Sequence, residues 1–341
     1  MASRRVGDLV EKAAAQQGLR NDPSQRPFNN GNAQDPPLLR PNRAPNHVLL
    51  YPGCFNPPHK GHLALLNQVL RNAGADLSLA AAVIVLTDDD KLAAKNRKEE
   101  RPLLLSKARR AALWREAGIT GDRVWVFGGS EDSWKGLRGQ LQRNLARQKI
   151  DLRFLLLVGP DWISVRSATD PKSWGCVEAV TSDISRPAAF RCPNSLRQLP
   201  KCSLWAPCSY QSSGQPSMAV AETPCETPAD GSNSAPGLVY ASTAVVSTCQ
   251  TLRKPLRRYR FVPCELGDRP QGEAPSSTEI RRIIATCGRE QLEGELAKVA
   301  LSPSLLAMYA LEGGPYTAPA PRASPPDHET RKLRAAADVK W

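Results

Sequence analysis

One junction narrows the fold more than any other feature of the chain. The apolar run His47-Val48-Leu49-Leu50-Tyr51 ends in Gly53-Cys54-Phe55-Asn56-Pro57-Pro58, and a helical pattern starts directly after His59-Lys60-Gly61-His62. A strand that turns through glycine and proline into a helix aims free backbone N–H groups at one point. The positive end of the helix dipole faces the same point, which suits an anion such as a phosphate. The chain has four histidines, and two of them stand here, three residues apart. Imidazoles add hydrogen bonds and, when protonated, charge.

The rest of the chain repeats the strand–helix alternation. Apolar runs predict strands over 48–51, 80–86, 123–127, 153–158, 176–181 and 257–262. Helical spacing predicts helices over 61–73, 103–117, 133–148 (capped by Ser133), 278–285, 290–300 and 302–311, with Pro303 in the last one's first turn. Continuous rather than alternating apolar strands fit a parallel sheet covered on both sides. The expected fold is therefore α/β: a Rossmann-like, doubly wound parallel sheet with helices on both faces. Ligands of such sheets bind beyond the carboxyl ends of the strands, where both the His59 turn and Gly159-Pro160-Asp161 fall.

Composition divides the 341 residues further. The 30 prolines gather outside the periodic stretches. Residues 1–45, polar and Pro-rich after a brief helical pattern over 6–17, read as a disordered leader. Residues 46–312 read as the folded domain, interrupted by a low-complexity insertion over about 192–251. Within it, an apolar patch over 238–246 could pair locally. Residues 313–341 read as a loose tail. No apolar run is long enough for a membrane span, and no secretory leader is visible. The nine cysteines lack zinc-ligand spacing and read as reduced thiols, which points to a cytoplasmic or nuclear protein. Asp88-Asp89-Asp90-Lys91 reads as a solvated acidic turn rather than a metal site. The net charge of +13 is dispersed, with no nucleic-acid motif, so polyphosphate substrates explain it better than nucleic acid does.

Far downstream stands Ser276-Ser277-Thr278-Glu279-Ile280-Arg281. Together, the two segments resemble the H-x-G-H and S-S-T-x-I-R motifs of the nucleotidylyltransferase superfamily, in its nicotinamide mononucleotide adenylyltransferase form. The resemblance implies transfer of AMP from ATP to nicotinamide mononucleotide, giving NAD and pyrophosphate. Mg²⁺ would be held mainly through the ATP phosphates. The acceptor phosphate is already anionic, so such chemistry needs positioning and charge neutralisation rather than a strong base.

Carried over residue by residue, the resemblance makes His59, His62 and Arg281 catalytic. Gly53, Cys54, Phe55, Lys60, Gly159, Asp161, Ser276, Ser277 and Thr278 would bind ATP. Trp134, Trp174 and Arg186 would bind the acceptor, the indoles stacking on its pyridinium ring. Gly53 is expected to let the chain approach the ligand without a Cβ. Cys54 stands where the family usually has Ser or Thr, and Pro275 where it has an aliphatic residue. Core packing competes with stacking for both tryptophans, and plain solvent exposure competes with phosphate binding for Lys60. Three other readings stay open: a cytidylyltransferase, a pantetheine-phosphate adenylyltransferase, and a regulatory ATP-binding protein or ATPase on the same fold. The sequence also leaves open a homo-oligomer, or a protein partner engaged through the loose segments.

Overall fold

The computed structural model describes residues 4–19, 26–40, 45–97, 103–118, 122–193, 195–208, 245–264 and 274–312. At its centre is a sheet of eight strands among the described residues: β1 (Asn46–Gly53), β2 (Ser78–Leu86), β3 (Val124–Phe127), β4 (Leu152–Leu157), β5 (Glu178–Ser182), β6 (Ala206–Pro207), β7 (Ser247–Gln250) and β8 (Arg258–Val262). Their spatial order is β3-β2-β1-β4-β5-β8-β7-β6. All neighbours from β3 to β8 run parallel, whereas β7 and β6 join antiparallel at the edge. The order reverses between β1 and β4, and that switch point is where a doubly wound sheet opens a crevice.

The continuous apolar strands are buried on both faces. Val48 and Leu50 of β1 face one layer together with Val83 and Val85 of β2. Leu49 and Tyr51 face the other with Ala82 and Ile84. The first layer is covered by α1 (Val6–Gln16) and α5 (Glu131–Arg147), the second by α2 (Lys60–Asn72) and α4 (Lys107–Glu116). A third cluster packs α6 (Ser277–Thr286), α7 (Leu292–Val299) and α8 (Pro303–Glu312) against Leu103, Leu105 and Leu113. It carries the second motif toward the first. Among the described residues no helix is long and apolar enough to cross a membrane.

Four expectations change. The expected disordered leader is packed over 4–19 and 26–40: Val6, Leu9, Val10, Ala13 and Ala14 form one apolar stripe of α1 buried against the core, and Phe28 packs on Trp125 at 5.9 Å. Polar composition concealed a stripe only five residues strong. The margins of the expected insertion are also packed. Trp205 stacks on Phe190 at 5.2 Å, and β6 and β7 extend the sheet there. Residues 209–244 and 313–341 lie outside the described residues.

The other two changes concern helix boundaries. α5 starts earlier, at Glu131, because Ser130 rather than Ser133 accepts the capping N–H. The acidic turn after β2 is the start of a helix, α3 (Asp89–Asn96). Two of the three carboxylates are engaged: Asp88 pairs with Lys107, and Asp89 with Arg110.

Candidate active site

The turn after β1 is built from its own side chains. Phe55 adopts φ 46°, which folds its ring back under Gly53. A Cβ on Gly53 would stand 2.7 Å from that ring. Phe55 packing by itself therefore calls for glycine here, a structural reason beside the expected close approach of a ligand. The Phe55 ring is wedged edge-on against Tyr51 at 5.0 Å, Trp114 at 5.2 Å and His62 at 4.8 Å. Asn56 is buried; its amide donates to Leu103 O at 2.6 Å and accepts from Leu105 N at 3.0 Å. Arg110, fully buried on α4, donates to the carbonyls of Cys54, Thr87 and Leu105 at 2.7–2.9 Å and to Asp89 at 2.6 Å. A guanidinium with that many partners fixes the turn from below.

The two histidines close the start of α2 reciprocally. His62 N donates to His59 Nδ1 at 3.3 Å, and His59 N donates to His62 Nδ1 at 3.2 Å, a capping box made of imidazoles. The rings stack with centroids 3.5 Å apart. Because each Nδ1 accepts a backbone proton, each neutral ring carries its own proton on Nε2, as a donor. Burial holds both rings neutral. The His59 pKa is pushed down to about 3, first by desolvation and then by Arg186. His62 is also held well below its ordinary value, by burial, by His59 and by Arg186.

The second motif docks onto this turn. Ser276 caps α6 by accepting from Glu279 N at 3.1 Å. Ser277 Oγ donates to Pro57 O at 2.8 Å, and Arg281 donates to Asn56 O at 3.1 Å and to Thr278 Oγ1 at 3.3 Å. Two helix N-termini, those of α2 and α6, thus meet at the carboxyl end of β1.

Between this corner and the end of β4 lies a cleft of about 690 Å³. Gly53, Cys54, Phe55, His59 and His62 line it from the first motif, and Ser277, Thr278 and Arg281 from the second. Gly159, Asp161, Trp174 and Arg186 line the opposite side. Asp161 and Arg186 stand 3.9 Å apart. Asp161 is the one carboxylate among the described lining residues, and among the described residues no group of three or more His, Cys, Asp or Glu could hold a metal.

Three predicted site residues are elsewhere. Lys60 turns away and donates to Ala297 O at 2.6 Å, tying α2 to α7. Trp134 is 2% exposed in the core, edge-on to Phe127 at 5.5 Å and Phe154 at 5.8 Å. Its position on α5 faces the sheet, so core packing wins over stacking. Ser276 holds the helix end rather than the cleft wall.

Sequence reasoning missed four residues. Lys95 of α3 reaches the cleft with Nζ 3.7 Å from Cys54 Sγ, and Trp162 lines the mouth at 59% exposure. Asn56 and Arg110 support the turn. Asn56 was legible as the one amide inside the first motif. Nothing local distinguishes Arg110 from its neighbours on α4.

The model of the cytidylyltransferase-like family matches residues 50–177, the span from β1 to the approach to β5. No curated protein matches the chain in sequence. Among solved structures, the chain is similar to the Plasmodium falciparum nicotinic acid mononucleotide adenylyltransferase complexed with NaAD. That match has 11% identity and a TM-score of 0.39, and covers 79% of this chain and 98% of that one. It is also similar to a putative nicotinate-nucleotide adenylyltransferase from Vibrio parahaemolyticus, at 13% identity and a TM-score of 0.21, over 34% of this chain and 62% of that one. Likenesses at these levels do not bear on substrate. Over residues 50–177, from the end of the first strand to the approach to the fifth, the chain is similar to the cytidylyltransferase-like family.

Proposed function

We propose that the protein transfers AMP from ATP to nicotinamide mononucleotide, forming NAD and releasing pyrophosphate. The observation that carries this reading is the docking of α6 on the His59 turn. It gathers two imidazoles, the hydroxyls of Ser277 and Thr278 and the Arg281 guanidinium around one end of the cleft. Such a corner neutralises a triphosphate without a nucleophile or a strong base. Neutral histidines suit the role, because an Nε2–H donor can follow the α-phosphate as negative charge develops on it. Arg281 would brace the β- and γ-phosphates as a fork.

Mg²⁺ would enter with ATP. A cleft with a single carboxylate among its described lining residues fits an ion held by phosphates and water, and the ion would supply charge neutralisation at the leaving pyrophosphate. The acceptor reading is supported by Trp174 and Arg186 on the far wall, an indole for a pyridinium ring and a cation for its phosphate.

The test is pyrophosphate release by the purified full chain with ATP, Mg²⁺ and a panel of acceptors: nicotinamide mononucleotide, nicotinic acid mononucleotide and phosphopantetheine. CTP is run as a second donor. Release that depends on a pyridine mononucleotide is expected. Dependence on phosphopantetheine, preference for CTP, or release without any acceptor each overturns the assignment in favour of the corresponding rival.

A further inference from the structure

The hairpin that joins β7 to β8 takes no part in the cleft. Its apex, Leu252-Arg253-Lys254-Pro255-Leu256, is exposed at every residue, with Leu252 at 67% and Leu256 at 49%. One bare leucine needs no explanation, but two on a single apex, flanking two cations, mark a surface that meets something. The main chain of the apex is tied down. Thr251 N donates to Arg257 O at 2.9 Å, Arg257 N donates to Thr251 Oγ1 at 2.9 Å, and that hydroxyl donates to Pro255 O at 3.2 Å. Leu252 N donates to Lys201 O at 2.9 Å, which joins the hairpin to the neighbouring stretch of chain.

β8 runs parallel to β5, β4 and β1, so the hairpin before it lies at the amino end of the sheet, opposite the cleft. Val177, also exposed, adjoins it, directly before Glu178, which is in register with Arg258. The fold gathers here cations that the sequence separates: Lys201, Arg253, Lys254 and Arg258, all exposed. Lys201, Arg253 and Lys254 have no ion-pair partner among the described residues. Residues 247–264 contain no Asp or Glu. The adjacent carboxylates are already engaged, Asp170 by Arg257 at 2.8 Å and Glu178 by Arg260 at 2.6 Å. Cys208 and Val245, the residues on either side of 209–244, stand at the opposite end of β7.

We propose that this apex docks on an anionic lipid bilayer, the leucines entering the interface and the cations meeting the headgroups. The proposal is independent of the acceptor reading. Each cation held near an anionic bilayer strengthens binding by about fivefold, and four together by roughly 10²–10³-fold. Apolar insertion adds the second signal that stable anchoring needs. A convex apex suits a flat bilayer. Single-stranded nucleic acid is held in grooves and on aromatic platforms, and residues 251–258 contain no aromatic ring. Because the cleft opens at the other end of the sheet, a docked protein keeps its site accessible to substrates.

Flotation of the full chain with phosphatidylcholine vesicles, with and without phosphatidylserine, tests the proposal. Binding that requires phosphatidylserine and is lost at about 1 M salt is expected. Arg253→Ala with Lys254→Ala should weaken it by about 25-fold, and Leu252→Ser with Leu256→Ser by at least about tenfold. None of these four residues lines the cleft, so Tm and pyrophosphate release should match those of the native chain. If the native chain binds neither vesicle, or both equally, the proposal falls; this comparison decides whatever the stability of the variants. Binding that the leucine changes leave intact also overturns it, since insertion would then play no part. Tighter retention of a duplex DNA oligonucleotide than of the vesicles, with the leucine variant unaffected, assigns the surface to nucleic acid instead.

Discussion

Gly53→Ala separates two reasons for a glycine beside the proposed phosphate site. The added Cβ would lie 2.7 and 2.8 Å from two Phe55 ring carbons, about 0.7 Å inside ordinary contact. Phe55 has little room to yield. It is 4% exposed, held at φ 46°, and touches Tyr51, Trp114 and His62. Over-packing of this kind costs about 1–3 kcal/mol, or roughly 2–10 °C in Tm for a domain of this size. The displaced ring presses on His62, and a shift of about 1 Å at a reacting centre lowers turnover by about a hundredfold.

The assay is a double-mutant cycle with Phe55→Leu, reading Tm and pyrophosphate release for all four proteins. Phe55→Leu alone loses three edge-on ring contacts, each worth about 0.5–1.5 kcal/mol. If Phe55 is the reason for the glycine, the two changes are sub-additive by at least about 1 kcal/mol, and the double variant is more active than Gly53→Ala. Additive stabilities, together with an ATP-affinity defect that Phe55→Leu leaves untouched, would show that the glycine serves ligand approach instead.

Three further outcomes are expected. His62→Ala should lower turnover by about 10²–10³ through loss of a charge-stabilising donor, at a stability cost near 1 kcal/mol for the lost cap; a folded variant with normal pyrophosphate release refutes the role. Trp134→Ala should destabilise by about 3–5 kcal/mol, seen in urea melts, yet leave KM for the acceptor within about twofold in the folded fraction, whereas an acceptor defect at unchanged stability would return Trp134 to the site.

Stability should also fall on acidification. Burial lowers the pKa of His47 to about 4, that of His59 to about 3, and that of His62 well below the ordinary value. Below pH 6.5 the unfolded chain binds protons that the folded chain refuses, so the three histidines support the fold fully above pH 6.5. That support drains away as pH drops toward 4, by at most about 1.4 kcal/mol per pH unit each. Urea midpoints at pH 7.5, 6 and 5 check the sign, and a flat or rising series contradicts it.

The parallel sheet and the helix starts at both motifs were legible because their signals are local. An apolar strand with no polar alternation cannot leave a face in water, as the burial of Leu49 and Leu50 on opposite layers confirms. A serine at Ser276 or an imidazole at His59 can satisfy a helix end within three residues of itself. The meeting of the two motifs, by contrast, was expected only from the family resemblance, and the docking of Ser277 and Arg281 on the His59 turn brings them together.

Helix α1 shows where local signals weaken. Its stripe is short, its surroundings are polar, and what it covers, α5 and the turn over Pro27–Asn29, is distant in the chain or itself irregular.

By itself, then, the sequence determined the chemistry available at each strand end: which turns free their amides, which side chains can meet a phosphate, and that the sheet lies between two layers. Only the tertiary structure decided which way the long side chains point. Trp134 and Trp162 are the same residue, each a few positions from a strand end, yet one fills the core and the other faces the cleft. Lys60 sits inside the first motif and still reaches α7. A side chain's direction depends on what packs against the other side of its element, and that neighbour is chosen by contacts far away in the chain.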